Sequence, residues 1–178
     1  MKKNFLIVLG LLLSLNINAK GKCGSERSIV NNDSLFNFLI GKFERIDSIA
    51  YDKKIWIVEK GIWLGECLQS CKSLKDKTWI NGDDPEISIR SIDSITDKWV
   101  VKKHKWITSR GLIKVEYEVK KDGEEIIEIP RKPNNSNVEG AIEMSKFYDI
   151  KNNGFKWALG IFVNNEFIPY RIVTCLRI

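Results

Sequence analysis

Most of this chain follows the two-residue alternation of β-strands, and no sustained helical stripe appears after residue 40. The clearest case is the segment 113–120, where Ile, Val, Tyr and Val alternate with Lys, Glu, Glu and Lys. Such alternation is typical of a strand with one buried face. Clusters rich in Gly, Asn and Asp, such as 81–85 and 121–124, punctuate the runs as short turns. The pattern predicts an all-β protein of about nine strands.

Strands joined by short turns tend to be neighbours in space, which favours an antiparallel up-and-down meander of about 8–10 strands. A meander of that size closes or splits, because exposed sheet edges promote aggregation. We therefore expect a closed barrel, with a β-sandwich as the alternative.

Local signals refine this prediction. Residues 35–39 are predicted to form a short helical turn, and 98–108 to form a strand. Glu59–Gly61 is predicted to be a tight turn between two short strands. Residues 130–140 form a predicted loop, whereas 141–150 fit either a helical turn or a strand.

The N-terminus carries the features of a cleaved export signal. A basic start is followed by an apolar run, Phe5–Leu15, which is too short to span a bilayer as a helix. Cleavage after Ala19 removes Lys2 and Lys3, so the net charge falls from +6 to +4. We expect a signal peptide over 1–19, a leader over 20–34, a single β domain over 35–178, and a secreted or periplasmic product without a transmembrane segment. The alternatives are a buried N-terminal helix and a lipid anchor at Cys23.

All four cysteines lie beyond the predicted cleavage site, which suggests disulfides in an exported chain. We expect Cys67 to pair with Cys71 and Cys23 with Cys175, the second bridge joining the two ends of the domain. The rival interpretations are a redox pair and a zinc site, but Cys-x-x-x-Cys lacks the usual spacing of either.

Two short segments resemble the lipocalins and the wider calycin group. Leu39–Phe43 resembles the Gly-x-Trp start of the first strand, with Phe43 where that group prefers Trp. Tyr170–Arg177 resembles the closing strand of fatty-acid-binding calycins, in which an arginine packs over the first-strand aromatic residue. The resemblance implies that Arg171 or Arg177 covers Phe43 through a cation–π contact. It also implies a barrel with an apolar cup, and binding rather than catalysis.

Aromatic residues are the candidate ligand contacts. Tryptophan fills cores but also lines ligand cavities, and this chain has six. One interpretation is that most of these tryptophans fill the core. The alternative is that several of them line a ligand-binding cup. The candidate ligand-binding residues are Trp56, Trp63, Trp99, Trp106, Tyr117 and Trp157.

The remaining polar features point to surface roles. The basic segment 98–121 can bind a polyanion, but it also fits a solvated face, and the export signal argues against nucleic acid. His104 sits between two lysines without a catalytic motif, and the acidic turn at 83–86 lacks EF-hand spacing. We therefore expect no enzyme activity, no catalytic residues, no metal and no cofactor.

Two functions follow. The first is a lipocalin-like barrel for a small apolar or amphipathic ligand. The second is a periplasmic inhibitor or immunity-type module that binds a protein partner.

Overall fold

The computed structural model describes residues 35–52, 55–68, 73–80, 84–107, 111–132 and 140–178. They form a closed antiparallel barrel in which every strand pairs with its neighbours in sequence and the last strand pairs with the first. The predicted all-β up-and-down barrel is confirmed. The strands are β1 (Gly41–Asp52), β2 (Ile55–Leu68), β3 (Ser73–Ile80), β4 (Glu86–Asp93), β5 (Lys98–Ile107), β6 (Gly111–Asp122), β7 (Glu125–Pro130), β8 (Ile142–Lys151), β9 (Gly154–Val163) and β10 (Glu166–Arg177).

Two local predictions change. The segment 141–150, open between helix and strand, lies mostly in β8. The prediction of a tight turn at Glu59–Gly61 is wrong, because β2 runs unbroken from Ile55 to Leu68. Gly61 serves close packing instead of turning, since a Cβ there would overlap the backbone carbonyl of Trp79 on β3.

A short N-terminal segment, residues 35–40, closes one end of the barrel, and we call it the plug. It contains the predicted helical turn as a 3-10 helix, Asn37–Leu39. Phe36 and Leu39 are fully buried against an aromatic core that includes Phe147 and Phe155. The plug reaches this depth because Gly65 on β2 has no Cβ, which would overlap the Leu39 carbonyl.

Arg177 at the end of β10 fastens the plug to the barrel. Its guanidinium donates to the Ile40 carbonyl at 2.8 Å and to the Phe38 carbonyl at 3.4 Å. The same group lies 4.6 Å from the Phe43 ring centroid. Of the two arginines considered for Phe43, the structure places Arg177 there, while Arg171 faces the barrel interior.

Replacing Arg177 by Met should loosen the plug. We expect the free energy of unfolding to fall by about 1–2 kcal/mol, because charge-assisted hydrogen bonds and a cation–π contact are lost. Hydrogen exchange of the amides of Leu39 and Ile40 should accelerate, since both donate within the plug. Arg131→Met is the control, because its ion pairs are longer and lie among exposed acids. Equal losses in the two variants would show that Arg177 does not hold the plug.

The predicted bridge between Cys23 and Cys175 is wrong. Cys175 is a free thiol with no exposed surface, and it faces the interior beside Arg45. A disulfide would require the leader to enter the packed barrel. Burial raises the pKa of the Cys175 thiol to about 12, so this thiol stays protonated at neutral pH.

Several predictions fall on residues that the structure does not describe. They are the signal peptide, the leader, Cys23 and Cys71, so the pairing of Cys67 with Cys71 stays a prediction. Within the described ranges, no helix has the length and hydrophobicity needed to cross a bilayer.

Candidate functional site

The two ends of the barrel differ in chemistry. The plug end carries the aromatic core just described, together with the turns at 94–97, 123–124 and 152–153. The opposite end, which we call the far end, is where β1 ends and β2 begins. The candidate site is the interior of the barrel at the far end.

Exposed apolar side chains concentrate around the far end. Six of the nine large apolar side chains that are exposed in the described residues belong to the far-end portions of β2, β6, β8 and β10. Strand alternation, traced from the buried Trp63 and Trp157, turns Ile57 and Ile168 toward the interior. They are nevertheless 44% and 51% exposed. Solvent therefore reaches the inner wall of the barrel at this end, in contrast to the plug end.

Two shared carboxylates lie deeper in the barrel, and the first is Asp47 on β1. Arg45 donates to both of its oxygens, at 2.5 and 2.7 Å. Arg171 on β10 donates to Oδ2 of the same carboxylate at 2.7 Å. Asp47 and Arg45 are buried, whereas the Arg171 side chain is 17% exposed. One carboxylate thus holds two cations, of which only Arg171 faces solvent.

The second shared carboxylate is Glu128 on β7. It accepts from Arg90 at 3.0 Å, from Lys103 at 2.6 Å and from the Ser145 hydroxyl at 2.8 Å. Arg90 also forms an ion pair with Asp76 on β3, so the network crosses the barrel. Again the deeper cation, Arg90, is buried, and the outer one, Lys103, is 19% exposed.

The two cations fix the charge of Glu128. Burial by itself would raise the pKa of this carboxyl, but Lys103 and Arg90 outweigh burial and lower the pKa to about 2. Burial lowers the pKa of Arg90, and Glu128 opposes that shift. Glu128 is therefore ionised throughout the physiological pH range.

Two tyrosines, Tyr117 and Tyr170, and one acid, Glu143, complete the polar groups of the interior. Together with the two shared carboxylates and their cations, we call these groups the floor of the site. Lys103 Nζ lies 4.3 Å from the Tyr117 ring centroid and 5.3 Å from that of Trp157. Tyr170 donates to Glu143 at 2.6 Å. Burial raises the pKa of both phenols well above the usual range, and the carboxylates of Glu128 and Glu143 add to the shift of Tyr117. Both hydroxyls therefore stay protonated and can act as hydrogen-bond donors.

The structure brings together only part of the predicted aromatic set. Trp63 and Trp157 lie inside the barrel, with ring centroids 6.4 Å apart. Tyr117 is also buried, and its ring faces the same Lys103 ammonium as the ring of Trp157. Both indoles are packed core residues at the base of the site. Their Nε1 atoms are buried and have no hydrogen-bond partner.

The other tryptophans lie elsewhere. Trp99 packs at the plug end against Phe36, with centroids 5.2 Å apart, beside a cavity of about 10 Å³ that has room for about one water. Trp56 faces outward on β2 and is 44% exposed. The side chain of Trp106 lies outside the described part of the structure. His104 also alternates outward, opposite Lys114 on β6.

The charged interior was not predicted from the sequence. Its members sit in strands whose polar positions looked solvated, and Lys103 belonged to a segment interpreted as a basic surface. One signal was present: Arg45 and Asp47 share the strand face of Phe43, a core aromatic residue. An arginine and an aspartate in phase with a buried aromatic residue fit an internal ion pair.

The strand pairing between β7 and β8 is short. β7 is the shortest strand, and its register with β8 covers only Ile126 to Glu128. Among the described residues, the far-end part of β6 and the start of β8 therefore have no strand pairing between them.

No protein-family description matches the chain, and no curated protein matches it. Among solved structures, it is similar to a DUF3598-family protein of unknown function from Nostoc punctiforme PCC 73102. The two are 7% identical, and the match covers 84% of this chain and 100% of that chain with a TM-score of 0.30. A likeness of this size supports no statement about function.

Proposed function

We propose that this chain is an exported, non-enzymatic barrel protein that binds a small amphipathic ligand at the far end. The observation that carries the proposal is the apolar inner wall at the far end, which solvent reaches. Its residues Ile57 and Ile168 face inward and are about half exposed. Below this wall lie the polar groups of the floor. A ligand with an apolar part and a polar part matches that order of surfaces.

A calycin-like identity belongs to the same proposal. The up-and-down closure, with β10 paired to β1, and the position of Arg177 over Phe43 support it. In this view the plug end gives rigidity, and the far end receives the ligand.

Titration of the purified protein with ten-carbon amphiphiles tests the proposal. We expect decanol and decanoate to bind saturably at one site, to change the tryptophan fluorescence through Trp157, and to release heat in calorimetry. Ile57→Glu and Ile168→Glu should each weaken the binding of decanol about tenfold, because a carboxylate then lines the apolar wall. Ile95→Glu is the matched control, since Ile95 is 92% exposed at the plug end.

Absence of saturable binding for every amphiphile would overturn the proposal. So would equal effects of the three glutamate variants, because the ligand would then not contact the far-end wall.

A protein-binding module is the second candidate, favoured by the outer face of β2. Trp56 and Val58 point outward there and are 44% and 64% exposed. Tryptophan is frequent at the centre of protein interfaces. Two results together would favour this candidate over the first. The protein would form a stoichiometric complex with an envelope protein, which Trp56→Ser abolishes, and it would not respond to amphiphiles.

A further inference from the structure

One side of the outer barrel wall is apolar. Strand alternation places the odd-numbered Asp47, Trp63 and Val173 inside, so the even-numbered residues of the same strands face outward. We give the name outer β1 face to the even-numbered residues within 44–50 of β1, 56–64 of β2 and 172–176 of β10. Its large apolar side chains include Ile46, Trp56, Val58, Ile62, Ile172 and Leu176. Trp56, Val58 and Leu176 are 44%, 64% and 44% exposed. An apolar patch of this kind indicates an interaction surface.

The wall formed by β5 and β6, on the opposite side of the barrel, provides the contrast. Lys102 and Glu116 face outward there as cross-strand partners, 3.7 Å apart. Glu116 and Glu118 also pair with Arg131. Charged outward residues are usual for an antiparallel sheet with one face in water. The outer β1 face therefore differs in composition from a solvated wall.

Two charges interrupt the outer β1 face at its centre. Glu44 lies between Leu176 and Ile62 in the register, and Lys60 lies beside Ile46. The two charged groups are 3.9 Å apart, and the side chains of Glu44 and Lys60 are 44% and 75% exposed. They are the only charged residues among the positions that define the face. The face is therefore neutral in total, with one acid and one base side by side.

We propose that the outer β1 face binds a second copy of this chain in a two-fold dimer. A two-fold contact requires a self-complementary patch. An axis that passes between Glu44 and Lys60 sets Glu44 of each copy against Lys60 of the other, while the apolar side chains around them pack together. Because the face is neutral, two copies of a chain with a net charge of +6 can approach through it.

A lipid surface fits the same face less well. Anionic head groups repel the Glu44 carboxylate, and the hydrocarbon region offers it no partner. The face also lies on the outside of the barrel, so the dimer does not depend on ligand binding inside the far end.

The size of the face predicts a weak dimer. Trp79 on β3 pairs with Ile62 and extends the face to a fourth strand. A strand spacing of about 4.8 Å and a rise of about 3.3 Å per residue give roughly 500 Å² per copy. A dimer then buries roughly 1,000 Å², which is the size of weak, reversible complexes. We therefore expect a dissociation constant in the micromolar range.

Sedimentation of the purified protein from about 1 to about 200 µM is the first test. We expect monomer at the lowest concentration and dimer at the highest. Val58→Lys should raise the dissociation constant about tenfold or more, because an ammonium group then enters the apolar contact. Val58 is exposed, so the variant should fold, and circular dichroism checks that it does.

Charge reversal tests the reciprocal pairing. Glu44→Lys and Lys60→Glu should each weaken self-association about tenfold or more, because like charges then meet across the axis. An equimolar mixture of the two variants should dimerise again, since each lysine of one copy then meets a glutamate of the other. Lys102→Glu and Glu116→Lys reverse a matched pair on the opposite wall. These controls should leave the dissociation constant within about twofold.

The outcomes are distinct. Monomer at every concentration would overturn the proposal, and so would unchanged association in both reversal variants or a mixture that stays monomeric. A monomer that uses Val58 to bind phosphatidylglycerol vesicles or an envelope protein would assign the face to that partner and overturn the dimer. None of these results concerns the binding of decanol, so the dimer and the proposed function fail separately.

Discussion

Replacing Glu128 by Gln is expected to lower the free energy of unfolding by about 3 kcal/mol. Gln keeps the size of the side chain but removes the charge that Arg90 and Lys103 share inside the barrel. Breaking a buried ion pair from one side costs about 3–5 kcal/mol, because a buried charge remains without compensation. The retained pair of Arg90 with Asp76 keeps the expected loss at the lower end of that range. Chemical denaturation followed by circular dichroism measures it.

The pH dependence identifies the cause of the loss. The folded state lowers the pKa of Glu128 from 4.5 to about 2. The contribution to stability is therefore complete above about pH 4.5 and is lost as the pH falls toward 2, for a total of about 3 kcal/mol. The Gln variant lacks this titration, so its free energy of unfolding should fall less steeply between pH 4.5 and 2.

The same substitution on the barrel surface is the control. Glu116 on β6 lies 3.7 Å from Lys102 and 3.5 Å from Arg131, in pairs that solvent reaches. Glu116→Gln should cost less than about 1 kcal/mol. If Glu128→Gln costs no more than this control, the interior network does not carry the buried charge that the structure assigns to it.

The architecture followed from the sequence because a meander needs only local information. Alternation places each strand, turn residues join it to the next, and closure follows from the cost of an open edge. The interpretation of a glycine as a turn residue failed at Gly61. A glycine in a turn and a glycine that admits a neighbouring backbone look the same in a single sequence, and only the packing of β3 on β2 separates them.

The candidate site was harder to predict, because its members face inward from strands far apart in the chain. Arg171 and Asp47 come from β10 and β1, and Glu128, Lys103 and Ser145 come from three different strands. No local spacing encodes such pairs. The tryptophans illustrate the opposite problem: their residue type suggested ligand contacts, but only register reveals that Trp56 faces outward while Trp157 faces inward.

Replacing Phe147 by Ala is the second large effect, an expected loss of about 4 kcal/mol in the free energy of unfolding. Phe147 has no exposed surface and joins the barrel core to the plug. Its ring centroid lies 6.1 Å from that of Phe36, 5.4 Å from Phe38 and 6.0 Å from Trp63. Removing such a side chain forfeits its burial and leaves a cavity, which together cost about 3–5 kcal/mol.

Conservative and distant substitutions check this reason. Phe147→Leu keeps most of the volume and should cost about 1–2 kcal/mol. Phe167→Ala, on β10 near the far end, removes the same atoms from a partly exposed position and should cost less than Phe147→Ala. Equal losses at Phe147 and Phe167 would mean that the plug end is not the rigid core of the barrel.

The contact between Phe147 and Phe38 makes the role of the plug measurable. In a double-mutant cycle with Phe38→Ala, the losses should be non-additive by more than about 0.5 kcal/mol if the two rings pack together. Additive losses would instead mean that the plug is detached in solution. In that case the barrel would be accessible from the plug end, and the asymmetry that assigns the ligand to the far end would disappear. This cycle therefore tests the structural premise of the binding site without any ligand.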